Sequence, residues 1–168
     1  MRNSIRLAAT SAVLALSLAS AAQAADTATA TASAEVLSTI SVTKDVDLSF
    51  GQIAVNGDGT VALAGNGTIT CSANLVCAGT AAPAAFTITG TADVGVTAAV
   101  DQASINLTHT VDGTKQLVLD NWDVYFPTGS TLTGGDAVFN VGGTLNVVAA
   151  NAIAGVYQGS FDVTVEYQ

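Results

Sequence analysis

Positive charge is nearly missing from this chain. Four lysines and arginines stand against thirteen aspartates and glutamates in 168 residues. Two of the four, Arg2 and Arg6, precede an apolar run from Leu7 to Ala22 that ends in Ala22-Gln23-Ala24. A charged start, a short apolar core and a small-x-small site form the pattern of a secretory signal peptide. The run is too short and too interrupted by Thr10, Ser11 and Ser17 to read as a bilayer span. The expectation is a signal peptide at 1–24, cut after Ala24, and a mature chain without a membrane span, exported through the periplasm to the surface or medium. Only Lys44 and Lys115 then oppose thirteen acids, a net charge of 2 − 13 = −11. Such a surface cannot neutralise phosphates, which excludes nucleic acid as a partner. It also has no attraction for anionic lipid.

Other chemistry is scarce too. His109 is the single histidine. It stands in phase with Ile105 and Leu107, which reads as a core-facing or edge residue, and a general base needs partners that no local motif supplies. No Gly-x-Ser-x-Gly elbow is present. No catalytic residue is assigned, and the chain is not expected to be an enzyme. Asn56, Asp58 and Asp112 each precede a glycine, but the alternating acidic loop with its closing glutamate is missing. Hairpin turns explain these residues, so no metal and no cofactor is expected. Trp122, Tyr125, Tyr157 and Tyr167 are scattered singly, as core or edge aromatics are. Cys71 and Cys77 are the two cysteines. In an exported chain they read as a disulfide, and closing so short a loop stabilises by roughly 2–3 kcal/mol. Lysine and proline, the usual guards of open sheet edges, number two each in the mature chain. Either few edges are open, or open edges are there to be filled.

What is present is alternation. From Ala28 to Phe50 the even positions run through Ala28, Ala30, Ala32, Ala34, Val36, Ile40, Val42, Val46, Leu48 and Phe50, broken only by Ser38 and Lys44. The odd positions are Thr, Ser and acids apart from Leu37. A period of two held this long signals extended chain, not helix. The alanines make a thin face that fits only a narrow groove, whereas the side chains from Val36 onward can fill a core. The reading is an extended arm at 25–35 followed by a sandwich domain at 36–168. Further strands alternate through Leu48–Val55, Thr60–Ala64, Thr68–Cys71, Phe86–Thr89, Val94–Val100, Ile105–Val111, Leu117–Leu119 and Trp122–Phe126. Ser72 to Ala85 reads as a loop, and Gly142-Gly143 as a hairpin turn between Val138–Val141 and Thr144–Ala149. A last strand places Tyr157, Phe161, Val163, Val165 and Tyr167 on one phase. About nine to eleven short strands at this spacing predict an all-β, immunoglobulin-like β-sandwich with an N-terminal extended arm.

Several blocks resemble a known family. Leu48-Ser49-Phe50-Gly51, Gly59-Thr60-Val61, Phe86-Thr87-Ile88-Thr89-Gly90, Phe139 to Leu145 and Gly155 to Tyr167 look like the bacterial family known as domain of unknown function 4402, over nearly the whole mature chain. More distantly, the Leu-x-Phe-Gly block and the Gly-x-Tyr block before a terminal Val-Thr-Val strand resemble the spore coat U-like pilins of archaic chaperone–usher pili. That resemblance implies an incomplete sandwich completed by a neighbour's N-terminal arm, with a periplasmic chaperone and an outer-membrane usher as possible partners. The tight local cysteine pair and the alanine-rich arm depart from those pilins.

The functional expectation is a secreted structural subunit of a surface filament, a homopolymer joined by donor-strand exchange. The donor candidates are Ala30, Ala32, Ala34, Val36, Ile40 and Val42. The acceptor-edge candidates are Phe161, Val163, Val165 and Tyr167. An arm added to a sheet edge gains main-chain hydrogen bonds and seats alternate side chains in pockets, and a head-to-tail contact of this kind does not close. The alternative is a self-complete adhesin or matrix sandwich.

Overall fold

A computed structural model describes residues 26–168, and the expected signal peptide at 1–24 lies outside the described residues. Residues 26–35 carry no regular secondary structure and are exposed. Val36–Gln168 form one compact unit. It contains β1 Ser41–Val46, β2 Gln52–Val55, β3 Gly59–Leu63, β4 Ile69–Cys71, β5 Leu75–Ala78, β6 Ala84–Thr89, β7 Val96–Val100, β8 Ser104–His109, β9 Gln116–Tyr125, β10 Asp136–Val147, β11 Tyr157–Gln158 and β12 Val163–Tyr167. All the ladders between these strands are antiparallel, and the sandwich expected from the alternation is the fold.

One layer is a broad sheet in the order β1-β6-β10-β9-β8-β11, with β3 joining β10 and β4 joining β3. The opposite layer is split into two ribbons, β12-β7 and β2-β5. Alternation decides which side chains lie between the layers. In β6 it buries Phe86 and Ile88, and in β10 it buries Phe139, Val141, Leu145 and Val147. Two apolar clusters result. The first gathers Ile88, Val96, Leu132, Phe139 and Val141 beneath β7 and β12, with Phe86 stacked on Phe139 at 5.0 Å between ring centroids. The second gathers Phe50, Val61, Leu63, Leu119, Leu145 and Val147.

Several local expectations are corrected. Gly142-Gly143 is not a turn, because β10 runs unbroken through both glycines. A Cβ at Gly142 would collide with the Leu63 carbonyl, and one at Gly143 would stand 3.0 Å from Leu119, so close backbone packing is what the pair provides. Asp120-Asn121 likewise lies inside β9, where Asn121 takes a positive φ of 47° as the register shifts between Gly142 and Thr144. The expected strand from Leu48 begins only at Gln52, after Gly51 turns at φ 72°. The expected loop from Ser72 holds β5, and β6 begins at Ala84. The last strand is two pieces. β11 pairs with β8 in the broad sheet, and β12 pairs with β7 in the other layer. Alternation reports burial on one face and is blind to a change of sheet.

Candidate functional site

The split layer leaves an open groove of about 1490 Å³. One wall is the segment from Asp47 through β2 to Val55, and the other is the segment from Ala152 to Phe161. The floor is the inner face of the broad sheet, including Phe86, Ile105, Leu107, Leu117, Leu119 and Leu145. Among the described residues β2 pairs only with β5, and β11 pairs only with β8, so the strand in each wall keeps one unpaired edge. Ile53, Val55, Ile105 and Leu107 are half-buried where they line this space. The second cluster is therefore a core with part of its cover missing.

The walls are held from outside the groove. The Cys71–Cys77 disulfide is formed and ties β4 of the broad sheet to β5, and β5 pairs with β2 through four register positions from Gln52↔Ala78 to Val55↔Leu75. On the other wall, buried His109 accepts backbone N–H bonds at Nδ1 from Asp112 (2.8 Å) and Val111 (3.2 Å), which leaves Nε2 to donate to the Ala154 carbonyl at 3.3 Å. Any Cβ at Gly155, which has φ 152°, would collide with that ring. Tyr157 meets His109 edge to face at 5.0 Å. Its hydroxyl accepts from the Ile153 N–H at 2.9 Å and donates to the Asn151 carbonyl at 2.7 Å. His109 thus packs in the core with several partners, and it fixes the rim of the groove.

The two ends of the groove differ. Lys44 lines one end and is paired with exposed Asp47. At the other end the turn after β8 brings Lys115 to the Ala150 carbonyl at 2.9 Å. In that turn Asp112 accepts from the Thr114 hydroxyl at 2.6 Å and from its N–H at 3.0 Å, which holds the carboxyl below its ordinary pKa, with the Lys115 charge acting in the same direction.

The expected acceptor residues divide. Phe161 lines the groove and packs on Trp122 at 4.8 Å. Val163, Val165 and Tyr167 lie in β12 over the first cluster. The donor candidates divide as well. Ala30, Ala32 and Ala34 are exposed, and Val36 is 91% exposed. Ile40 packs against the first cluster, and Val42 pairs with Ile88 within β1 and β6, so both are already engaged in the chain's own sandwich. The boundary is marked by a clasp at Ser38. The Tyr167 hydroxyl donates to the Ser38 carbonyl (3.0 Å) and accepts from the Thr91 N–H (2.7 Å), and the Ser38 N–H donates to the Thr91 hydroxyl (2.7 Å). The Thr91 N–H pulls the Tyr167 hydroxyl below its ordinary pKa. The scattered aromatics serve packing and backbone contacts. Trp122 donates its indole N–H to the Gln102 carbonyl at 2.6 Å, and Tyr157 and Tyr167 are tied to backbone as described. Sequence reading missed the wall from Ala152 to Ser160. Its available signal was Gly155 and Gly159 set around Tyr157, small residues where the chain must pass close to β8, as the approach of a Gly159 Cβ to the Asn106 carbonyl (2.7 Å) records.

Residues 40–167 match the family model described as a domain of unknown function, DUF4402. No curated protein and no solved structure gives a significant match. The chain belongs to the DUF4402 family.

Proposed function

We propose that this member of the DUF4402 family is an exported structural subunit of a surface filament, and that its groove receives the N-terminal arm of a neighbouring copy. The observation that carries the reading is the groove with an unpaired strand edge on either side and an apolar floor. A strand laid there would pair with both edges and cover Ile53, Val55, Ile105 and Leu107. Apolar area removed from water is worth roughly 25 cal/mol per Å², so covering such a floor is a substantial driving force. The arm ahead of Ser38 has the matching pattern, with alanines on one phase and Thr27, Thr29, Thr31 and Ser33 on the other. In this reading the donor residues are Ala28 to Val36, and the walls are Asp47–Val55 and Ala152–Phe161. A chaperone would protect the groove before assembly and an usher would deliver the subunit, as the resemblance to archaic pilins implies.

Deleting residues 25–35 tests this. Export and the folded sandwich are expected to survive. Filaments seen by negative stain, and a ladder of SDS-resistant oligomers that collapses on boiling, are expected to vanish. Normal filaments from the deletion would end the proposal.

A further inference from the structure

The chain behind the signal sequence holds two cations, and they lie at opposite ends of the groove. Lys44 stands at the level of Phe86 and Phe139 in the register of the broad sheet. Lys115 directly precedes β9, and Val118 of β9 faces Asn146 of β10, which puts the Lys115 level at position 149. The two lysines are thus ten strand positions apart along β10. At about 3.3 Å per residue that is roughly 33 Å. The arm carries two acids, Asp26 and Glu35, with eight uncharged residues between them. They are nine positions apart, roughly 30 Å in an extended chain. The arm is a neutral strand with an acid at each end, and the groove has Lys44 beside Asp47 in its lining at one end and Lys115, held on the Ala150 carbonyl, just beyond the other.

We infer that these charges set the register of the donor strand, Glu35 of one copy meeting Lys115 of the next and Asp26 meeting Lys44. This inference rests on the reading of the groove as the arm's acceptor, and it adds which residues fix the arm's position and direction. Direction follows from the clasp. The arm is rooted at Ser38 against Thr91 and Tyr167, and Thr91 lies beyond Thr89 of β6, past the Lys44 end. Each copy therefore sends out its arm from its Lys44 end. If Glu35 docked at a neighbour's Lys44 end, the bodies would meet where that neighbour's own arm must also leave, and growth would stop at two. Docked at the Lys115 end, the donor body abuts the free end of its acceptor and the next arm remains clear. The strand then runs antiparallel to the wall from Ala152 to Phe161. The groups already at each end are engaged. Lys44 holds exposed Asp47 and Asp45 accepts from the Thr87 hydroxyl, while at the other end Lys115 holds the Ala150 carbonyl, Asp58 accepts from the Ala149 N–H and Asp112 is engaged by Thr114. The arriving acid adds to each.

Charge exchange in the full exported chain is the test, with heat dissociation of the SDS-resistant ladder as the readout. Glu35→Lys is expected to speed dissociation about fivefold, at the upper end of what an exposed pair turned repulsive can do. Adding Lys115→Glu in the same chain is expected to restore the wild-type rate, and adding Lys44→Glu is not. Because Lys115→Glu also removes the contact to Ala150, Glu35→Gln and Lys115→Gln are measured as well, each in low and high salt. Both should abolish the salt dependence of assembly that the wild type shows. A Glu35→Lys ladder as durable as the wild type, or rescue by Lys44→Glu instead of Lys115→Glu, overturns the inference and leaves the groove as acceptor. A wild-type chain that makes no ladder, as it would if another polypeptide or its own arm filled the groove, removes the proposed function and this inference together.

Discussion

The two halves of the sandwich share one broad sheet and are finished differently. Over Phe139 and Ile88 the second layer is complete, because β7 and β12 pair along five register positions and drop Val96 and Val165 into the core. Over Leu145 and Leu119 the second layer is two walls with a space between them. Both halves bury large side chains, Phe139 and Ile88 in one and Leu63 and Leu119 in the other, and the open half leaves Ile53, Val55 and Leu107 half-covered where they line the groove. The contrast teaches that incompleteness here is local. The second cluster lies open only along the groove, while the first is covered by β7 and β12.

Three experiments bear on that contrast. The largest effect is expected from Phe139→Ala, which empties the centre of the closed half and should cost about 3–5 kcal/mol in denaturant unfolding. Leu107→Ala on the floor of the open half should cost only about 1 kcal/mol in the isolated chain, because part of its area is already wet. Equal losses would mean that the two halves are equally closed in solution. An intermediate and more local effect is expected from replacing Cys71 and Cys77 together by alanine. The loop-closure term is roughly 2–3 kcal/mol. Amide exchange should rise in β2 and β5 before it rises in β7 and β12, and uniform acceleration would show that the disulfide does not serve the wall in particular.

The smallest effect concerns acid. Asp112 has a folded pKa below its ordinary value, so its contribution to the turn beside Lys115 is present above about pH 4 and is lost as pH falls through the lowered folded value. The Thr114 amide resonance should therefore move only in strongly acidic solution. Asp112→Asn should remove that movement and leave the β7–β12 ribbon unchanged. A Thr114 resonance that moves at the ordinary carboxylate pKa or above would contradict the hydrogen bonding described for this turn.

Much of the closed half is legible in the sequence, and the groove is not. Phe86 and Ile88, and Val163, Val165 and Tyr167, announce their strands by alternating with polar residues, since each strand has one wet face and one dry face. The groove arises from which strand pairs with which, and alternation carries no record of partners. Nothing local to Val55 or Gly159 says that the two flank an open groove. Gly142-Gly143 misleads for a related reason, since glycine serves close packing as well as turning, and only the position of Leu63 decides between the two. The period of two reads as an extended segment, and the change from alanine to larger side chains at Val36 falls where the compact unit begins. The clasp at Ser38 was not legible, because its contacts to Thr91 and Tyr167 lie far along the chain.

The clasp at Ser38 also has a mechanical meaning. A pull along the chain ahead of Ser38 reaches β1 at its first residue and runs along the axis of the strand. The hydrogen bonds between β1 and β6, from Ser41↔Thr89 to Val46↔Ala85, are then loaded together in shear rather than opened one after another. The Tyr167 hydroxyl passes part of the same load into β12, so the tension is shared by both layers before any rung of the ladder has to break.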